Sequence, residues 1–246
     1  QYVIPPTLLK HATVIQYMRG VRRIYSKYNV PPLLTLSIEE NDGDSMVLAA
    51  TNAHFNELDG PSVVTDMVIA RKFLDEPRSM MEMVETRHSF ILSRGEIEDH
   101  APSQRKAEKG VTYFSGSKLP DVLPGESIGV HEAAHALYFH DPTIFERWYD
   151  FLERDYGTNS PGGKMWRNGS GQRVDPILVN FDRVERDFEH VSEYAVSSPA
   201  EAFAETMVLY EYNPDLLPER IRKGMAYALG PQPEWKIPPK EPVRLI

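Results

Sequence analysis

The segment from Val130 to Leu137 reads VHEAAHAL and contains the pattern H-E-x-x-H. In an α-helix, His131 and His135 lie one turn apart on the same face, so both imidazoles can reach one metal ion. Glu132 lies about 100° further round the helix, where its carboxylate can reach water at the metal instead of the metal itself. Two histidines on one helix need a further ligand from elsewhere, so this pattern constrains how the rest of the chain folds.

The third ligand has to be His, Asp or Glu, because the chain contains no cysteine. The same absence excludes disulfides, thiolate metal sites and cysteine nucleophiles. A catalytic zinc ion takes three protein ligands and keeps one position open. The extension H-x-x-G-x-x-H is missing, since Tyr138 and Asp141 occupy its positions. His140 follows His135 by five residues and lies on a different helical face, so we expect the third ligand further along the chain.

Two glutamates further along, Glu201 and Glu205, are spaced i and i+4 on a predicted helix over Pro199–Tyr212. Glu201 is the candidate third metal ligand. Glu205, one turn later, is positioned to accept the free ring N–H of a ligand histidine. Ser198, with a proline after it and Glu201 at the third helical position, is also typical of a capping box. A purely structural role for Glu201 therefore stays open.

Composition and charge disfavour two classes of partner. The chain carries 27 basic and 36 acidic side chains, a formal net charge of −9, and it has no stripe of lysine and arginine. Nucleic-acid binding is therefore disfavoured. No segment approaches the roughly 18 consecutive apolar residues of a membrane span. The first residue is Gln1 and not Met, so we expect a processed form or a piece of a longer protein with flanking domains.

The order of predicted elements indicates an α+β fold, mixed in the first part and mainly helical in the second. Helices are predicted over 8–28, 62–83, 126–140, 143–155, 199–212 and 220–229. Strands are predicted over 33–38, 46–50, 88–92 and 111–114, with a turn at 41–44. Residues 157–173 are rich in glycine, serine and asparagine and predict a long mobile loop. Residues 231–246 are proline-rich and predict an extended tail.

The two motifs, H-E-x-x-H and Tyr194-x6-Glu201-Ala-Phe-Ala-Glu205, together resemble the catalytic domain of anthrax lethal factor and its relatives. These are gluzincin metallopeptidases, a group that includes the clostridial Pro-Pro endopeptidases. The match covers about residues 128–210. It implies one zincin-like domain over residues 1–230, with a first lobe containing a small sheet at about 1–118 and a mainly helical second lobe at about 119–230.

The resemblance also implies the role of each site residue. One Zn²⁺ per chain would be bound by His131, His135 and Glu201, with Glu132 as the general base and Glu205 as the partner of a ligand histidine.

Tyr194 would stabilise the oxyanion or the leaving group, with an aromatic residue of the core or rim as the alternative. We expect a zinc-dependent endopeptidase acting on a protein or peptide, as a secreted toxin or delivered effector, with a cytoplasmic location as the alternative. Two other functions stay open: a non-catalytic binding or structural domain with a zincin-like fold, and a chance motif in which Glu201 only caps its helix.

A predicted strand lies just ahead of the metal helix and is the candidate for substrate binding. Its residues are Val111, Thr112, Tyr113 and Phe114. An edge strand in this place could pair with an extended peptide by adding it to the sheet. An ordinary core strand is the alternative.

Overall fold

The computed structural model describes residues 2–4, 7–28, 33–39, 49–56, 60–70, 112–167 and 176–231. These residues form an α+β fold in which helices predominate. The helices are α1 (Ala12–Lys27), α2 (Pro124–His140), α3 (Pro142–Tyr156), α4 (Phe181–Phe188), α5 (Pro199–Tyr212) and α6 (Glu219–Leu229). The strands are β1 (Tyr2–Val3), β2 (Leu33–Glu39), β3 (Ala49–Asn56), β4 (Gly60–Ala70), β5 (Lys164–Trp166) and β6 (Ile177–Val179). Short 3-10 helices lie at Leu8–Lys10, Ser115–Lys118, Tyr194–Val196 and Pro214–Leu216.

The first four strands form one sheet in the order β1-β2-β4-β3. Strands β1, β2 and β4 run parallel, with Leu36 opposite Met67, whereas β3 runs antiparallel to β4. Strand β3 lies at the edge of this sheet, next to α2. The sheet therefore flanks the helix that carries the H-E-x-x-H pattern.

The helix predicted over 62–83 is wrong for residues 62–70, which form most of β4. The physical reason is the density of β-branched side chains there, which are restricted at χ1 and favour extended backbone. These residues are Val63, Val64, Thr65, Val68 and Ile69. The remainder of that prediction, residues 71–83, lies outside the described residues.

Helix α2 forms the centre of the core. Every residue from Val130 to Phe139 is buried, including the three polar residues of the motif. Helix α1 packs directly against α2, because glycines leave room where the two backbones cross. A Cβ on Gly129 would collide with the carbonyl oxygen of Tyr17, and a Cβ on Gly20 would collide with that of Glu126. The close contact requires glycine at both positions.

Helix α5 contacts the other side of α2 and is joined to α1 by a buried carboxylate. Glu211, near the end of α5, accepts hydrogen bonds from Tyr28 Oη at 2.7 Å and Lys27 Nζ at 2.6 Å. Arg23 donates to the same carboxylate at 3.2 Å. A buried carboxylate with several charged and polar donors is stable as an anion. Glu211 thus joins α5 to α1, the helix that packs against α2.

The predicted loop over 157–173 contains regular structure. Strand β5 pairs antiparallel with β6, with Lys164 opposite Val179. Trp166, at the end of β5, is only 2% exposed. The prediction of a mobile loop is therefore wrong for residues 164–166, because the apolar Met-Trp pair and a partner strand outweigh the flexible residues around them. Residues 168–175 lie outside the described residues.

The remaining predictions agree with the described elements or cannot be compared. The predicted helices over 8–28, 126–140, 143–155, 199–212 and 220–229 match observed helices within a few residues, and the strand over 33–38 matches β2. The strand over 46–50 overlaps β3 only at its end. Predictions at 41–44, 46–48, 88–92 and 232–246 lie outside the described residues. In the described parts of the chain, no helix combines the length and apolarity needed to cross a membrane.

Candidate metal centre

The contact between α2 and α5 brings His131, His135 and Glu201 together. The Nε2 atoms of the two histidines lie 3.1 Å apart. Oε2 of Glu201 lies 3.1 Å from Nε2 of His131 and 3.1 Å from Nε2 of His135. The three atoms therefore form a nearly equilateral triangle on the buried side of α2.

This triangle fits the ligand set of a metal ion. Zinc–nitrogen and zinc–oxygen bonds of about 2.0–2.1 Å place tetrahedral ligand atoms about 3.3 Å apart, close to the observed separation. Two imidazole nitrogens and one carboxylate oxygen are a donor set that catalytic zinc sites use. The three side chains could therefore hold one metal ion, and their chemistry suits Zn²⁺.

The start of α5 positions Glu201. Ser198 caps the helix, accepting the amide N–H of Glu201 on its Oγ at 3.1 Å, and Pro199 occupies the first helical position. The indole N–H of Trp148 donates to the carbonyl of Pro199 at 3.0 Å, and that of Trp166 donates to the carbonyl of Val196 at 2.9 Å. Capping and metal binding are compatible, because Ser198 caps the helix while the carboxylate of Glu201 contacts the histidines.

Behind His131 lies Glu205, which is 2% exposed. Its Oε1 lies 2.6 Å from Nδ1 of His131. Its Oε2 accepts the backbone N–H of Ser115 at 2.6 Å and the hydroxyl of Ser192 at 2.7 Å. A carboxylate satisfied in this way requires the proton of neutral His131 to be on Nδ1, so the lone pair on Nε2 faces Glu201 and His135.

The metal-free arrangement shifts the pKa values of its members in opposite directions. Burial lowers the pKa of His131, but hydrogen bonds to Glu201 and Glu205 outweigh burial and hold it well above its ordinary value. Burial raises the pKa of Glu201, but His135 and His131 together hold it well below its ordinary value. The site therefore favours a protonated imidazole at His131 beside an ionised Glu201, and its electrostatics also suit a cation.

The two histidines differ in their surroundings. His131 has Glu205 on its Nδ1, whereas the buried Nδ1 of His135 has no hydrogen-bond partner among the residues that the structure describes. The ring of His135 stacks on Phe139, with centroids 6.2 Å apart and planes 15° apart. His135 is therefore oriented by packing against Phe139 and by the contact of its Nε2 with Glu201, and His131 by two carboxylates.

Glu132 and Tyr194 lie beside this triangle. Glu132 is buried on α2, and its charge contributes, after burial, to the raised pKa values of Tyr17 and Tyr194. The ring of Tyr194 is stacked at 6.0 Å from that of His131. Burial, followed by the charge of Glu201, raises the pKa of Tyr194 well above its ordinary value of 10. The phenol is therefore protonated at neutral pH and available as a hydrogen-bond donor.

The strand predicted at 111–114 is wrong for residues 112–114, and Val111 lies outside the described residues. Residues 112–114 form no strand and lead into the 3-10 helix Ser115–Lys118. The carbonyls of Thr112 and Tyr113 accept the amides of Glu193 and Tyr194, at 2.9 and 3.1 Å. Because the turn at 193–194 uses these groups, they are not available for pairing with a substrate strand.

The aromatic side chains of this segment have a different role. The ring of Tyr113 stacks on Tyr194 at 5.5 Å, and the ring of Phe114 meets Tyr194 edge-on at 5.3 Å. Both contacts lie in the range of favourable aromatic pairs. They fix the ring of Tyr194 beside His131.

Sequence reasoning missed the groups that surround Glu205, namely Ser115 and Ser192. Both are fully buried serines distant in sequence from the metal motif. Neither has a local pattern that would distinguish it from other serines, so no sequence signal marks them.

Comparisons of the chain with protein-family models, curated proteins and solved structures find no match. What points to a function is the geometry of the described residues and the chemistry of their side chains. That geometry includes two histidines and a glutamate around one point, with a further buried glutamate and a phenol beside them.

Proposed function

We propose that this chain is a zinc-dependent endopeptidase of the gluzincin type, similar to the lethal-factor family. The observation that carries the proposal is the 3.1 Å triangle of ligand atoms from His131, His135 and Glu201. The resemblance of the motifs on α2 and α5 to those of the lethal-factor family supports the same set of ligands. A zincin-like two-lobe arrangement, with a sheet on one side of α2 and α5 on the other, is part of the proposal.

When bound, Zn²⁺ supplies a Lewis acid for the scissile carbonyl and lowers the pKa of water at the site. His131 and His135 would hold it through Nε2, and Glu201 through Oε2. Glu205 keeps the His131 proton on Nδ1, so the Nε2 lone pair stays directed at the ligand triangle.

Glu132 would be the general base. Its carboxylate accepts a proton from the attacking water and then delivers it to the departing amine nitrogen. Its position directly after His131 on a buried helix keeps it next to a metal ligand. Tyr194, which remains protonated, would donate a hydrogen bond from its phenol to the oxyanion that develops on the scissile carbonyl.

A peptide substrate is supported by the edge of the sheet. Strand β3 pairs with β4 on one side, and no described strand pairs with its other side. The open side of an edge strand can take up an extended peptide through backbone hydrogen bonds. Because β3 lies next to α2, a peptide bound there would run close to the metal helix.

The decisive experiment measures metal content and peptide hydrolysis on the same protein. The chain is purified without chelator, its metal is determined by elemental analysis, and cleavage of a peptide library is followed by mass spectrometry. We expect about one zinc per chain, the stoichiometry of a catalytic site. Glu132→Gln should keep the zinc while hydrolysis falls by about 10²–10⁴-fold, the usual contribution of a general base. Glu146→Gln, at an exposed position of α3, is the matched control.

The outcomes separate the three functions. One zinc per chain with cleavage that depends on Glu132 supports the peptidase. One zinc without cleavage of any peptide or denatured protein would indicate a binding or structural domain. Absence of zinc even after reconstitution would reduce the motif to a chance helix pattern. Full activity in Glu132→Gln would overturn the assignment of the general base.

A further inference from the structure

Ser192 lies where two parts of the candidate site meet. It is fully buried, in the turn between α4 and the 3-10 helix Tyr194–Val196. Its backbone amide donates to the carbonyl of Phe188 at 3.1 Å, which ties the turn to the end of α4. Its hydroxyl contacts two groups: Oε2 of Glu205 at 2.7 Å and the backbone amide of Ala195 at 3.0 Å.

The direction of both hydrogen bonds follows from the partners. An ionised carboxylate can only accept, so the single hydroxyl proton of Ser192 is donated to Glu205. The amide of Ala195 can only donate, so it uses a lone pair on the same oxygen. The Ser192 hydroxyl therefore donates one hydrogen bond, to Glu205, and accepts one, from the amide of Ala195.

The two partners of Ser192 belong to different parts of the site. Glu205 contacts Nδ1 of His131 and so orients a metal ligand. Ala195 follows Tyr194 in the 3-10 helix, so its amide fixes the turn that presents the phenol. One hydroxyl thus connects the carboxylate that orients His131 to the turn that carries Tyr194.

The carboxylate of Glu205 depends on this hydroxyl for its orientation. Its Oε2 has two donors, Ser115 N–H and Ser192 O–H, and its Oε1 has His131. With the hydroxyl removed, Oε2 keeps only one donor, and a buried carboxylate with fewer donors is free to rotate away from the imidazole. The amide of Ala195 would at the same time lose its acceptor.

We propose that Ser192 is a positioning residue that couples the metal ligand His131, through Glu205, to the turn that carries Tyr194. This inference rests on the proposed function, since it concerns the same metal site. Ser192 itself touches neither the metal ligand triangle nor the reacting atoms, and it acts only through the groups it orients.

The test compares three proteins: wild type, Ser192→Ala and the matched control Ser197→Ala. Ser197 directly follows the 3-10 helix Tyr194–Val196, and its hydroxyl donates to the carbonyl of Tyr194 at 2.7 Å, but it is exposed. Zinc affinity is measured by competition with a chromophoric chelator, and ligand geometry by the visible absorption bands of the Co²⁺-substituted protein. Folding is checked by far-UV circular dichroism.

We expect Ser192→Ala to raise the zinc Kd by about tenfold or more, as loss of an outer hydrogen-bond partner usually does. Its Co²⁺ bands should shift, because the orientation of His131 changes, and kcat should fall while KM changes little. Ser197→Ala should keep the wild-type Kd and Co²⁺ spectrum. A merely structural serine would lower the melting temperature without changing either metal readout.

The possible failures are distinguishable. Wild type that takes up zinc and cleaves peptide, with Ser192→Ala showing the same Kd and Co²⁺ spectrum, overturns the inference and leaves the proposed function intact. Wild type that binds no zinc overturns the proposed function and the inference with it. Should Ser192→Ala not fold, Ser192→Cys, which has a similar shape and a weaker donor, is judged by the same two metal readouts.

Discussion

The Nδ1 atom of His131 lies 2.6 Å from Oε1 of Glu205, a residue 74 positions later in the chain. This short contact joins α2 to α5 inside the core and makes the two metal-binding histidines different from each other. Within the described parts of the chain, Nδ1 of His131 has the carboxylate of Glu205 as its partner, whereas Nδ1 of His135 has none. The first test of the site is therefore the removal of that acceptor charge.

Glu205→Gln should weaken zinc binding by about 10–100-fold, the usual effect of losing a partner behind a ligand histidine. If the amide oxygen faces His131, the amide NH₂ faces the N–H of Ser115, and two donors then meet in a buried place. The zinc Kd from chelator competition checks this expectation. The control is Asp215→Asn in the exposed 3-10 helix Pro214–Leu216 that follows α5, and equal Kd values for the two variants would refute the role of Glu205.

The two roles of the Ser198–Glu201 pair can be separated by mutating each residue. Glu201→Gln should lower zinc affinity by more than about a hundredfold, because it removes a charged ligand and not an outer partner. Ser198→Ala should cost about 1 kcal/mol of stability through loss of the cap, with only a small change in zinc Kd. Urea unfolding and chelator competition measure the two effects. Wild-type zinc affinity in Glu201→Gln would leave Glu201 as a capping residue only.

Trp166→Phe should destabilise the protein by about 1–3 kcal/mol, because the carbonyl of Val196 loses its buried donor and the smaller ring leaves a void. The start of α5 should also loosen, so zinc affinity should fall together with stability. Met165→Ala is the neighbouring control, since Met165 is 48% exposed and a substitution there should have little effect. An unchanged urea unfolding midpoint in Trp166→Phe would contradict the anchoring role of Trp166.

Alkaline pH should unfold the protein through buried phenols distant from the metal ligands. Burial, together with neighbouring carboxylates, raises the pKa values of Tyr28, Tyr156 and Tyr212 well above 10. Because the unfolded phenols ionise near pH 10, stability from these groups is complete below that pH and is lost as the pH rises further. Their partners are Glu211, Asp187 and Glu126.

The measurement follows tyrosinate absorbance at 295 nm and circular dichroism on one alkaline titration. The buried phenols should ionise together with unfolding, and not before it. Tyr28→Phe removes one ionisable group, so its stability should decline less steeply between pH 10 and the unfolding transition. Complete ionisation of all tyrosines in a protein that keeps its native circular dichroism would show that these phenols are not held by the fold.

Local patterns predicted the elements that carry the site. The helix spacing of His131 and His135 and the proline after Ser198 led to α2 and α5 with nearly correct bounds. Local patterns failed where a tertiary partner decides the conformation. Residues 112–114 stay irregular because the turn at 193–194 takes up the carbonyls of Thr112 and Tyr113. At residues 62–70 the β-branched side chains already favoured extended backbone, and pairing with β2 and β3 completes the strand.

From the sequence alone, the chemistry of the candidate site was already determined: two histidines on one helical face, an adjacent glutamate, and a pair of glutamates on a later helix. These are local properties, because helix geometry sets which side chains share a face. Tertiary structure decided that Glu201 meets both histidines, that Glu205 contacts His131 alone of the two, and that Ser115, Ser192 and two tryptophans hold these groups. Such contacts join residues far apart in the chain, and only the packing of α1, α2 and α5 brings them within hydrogen-bonding distance.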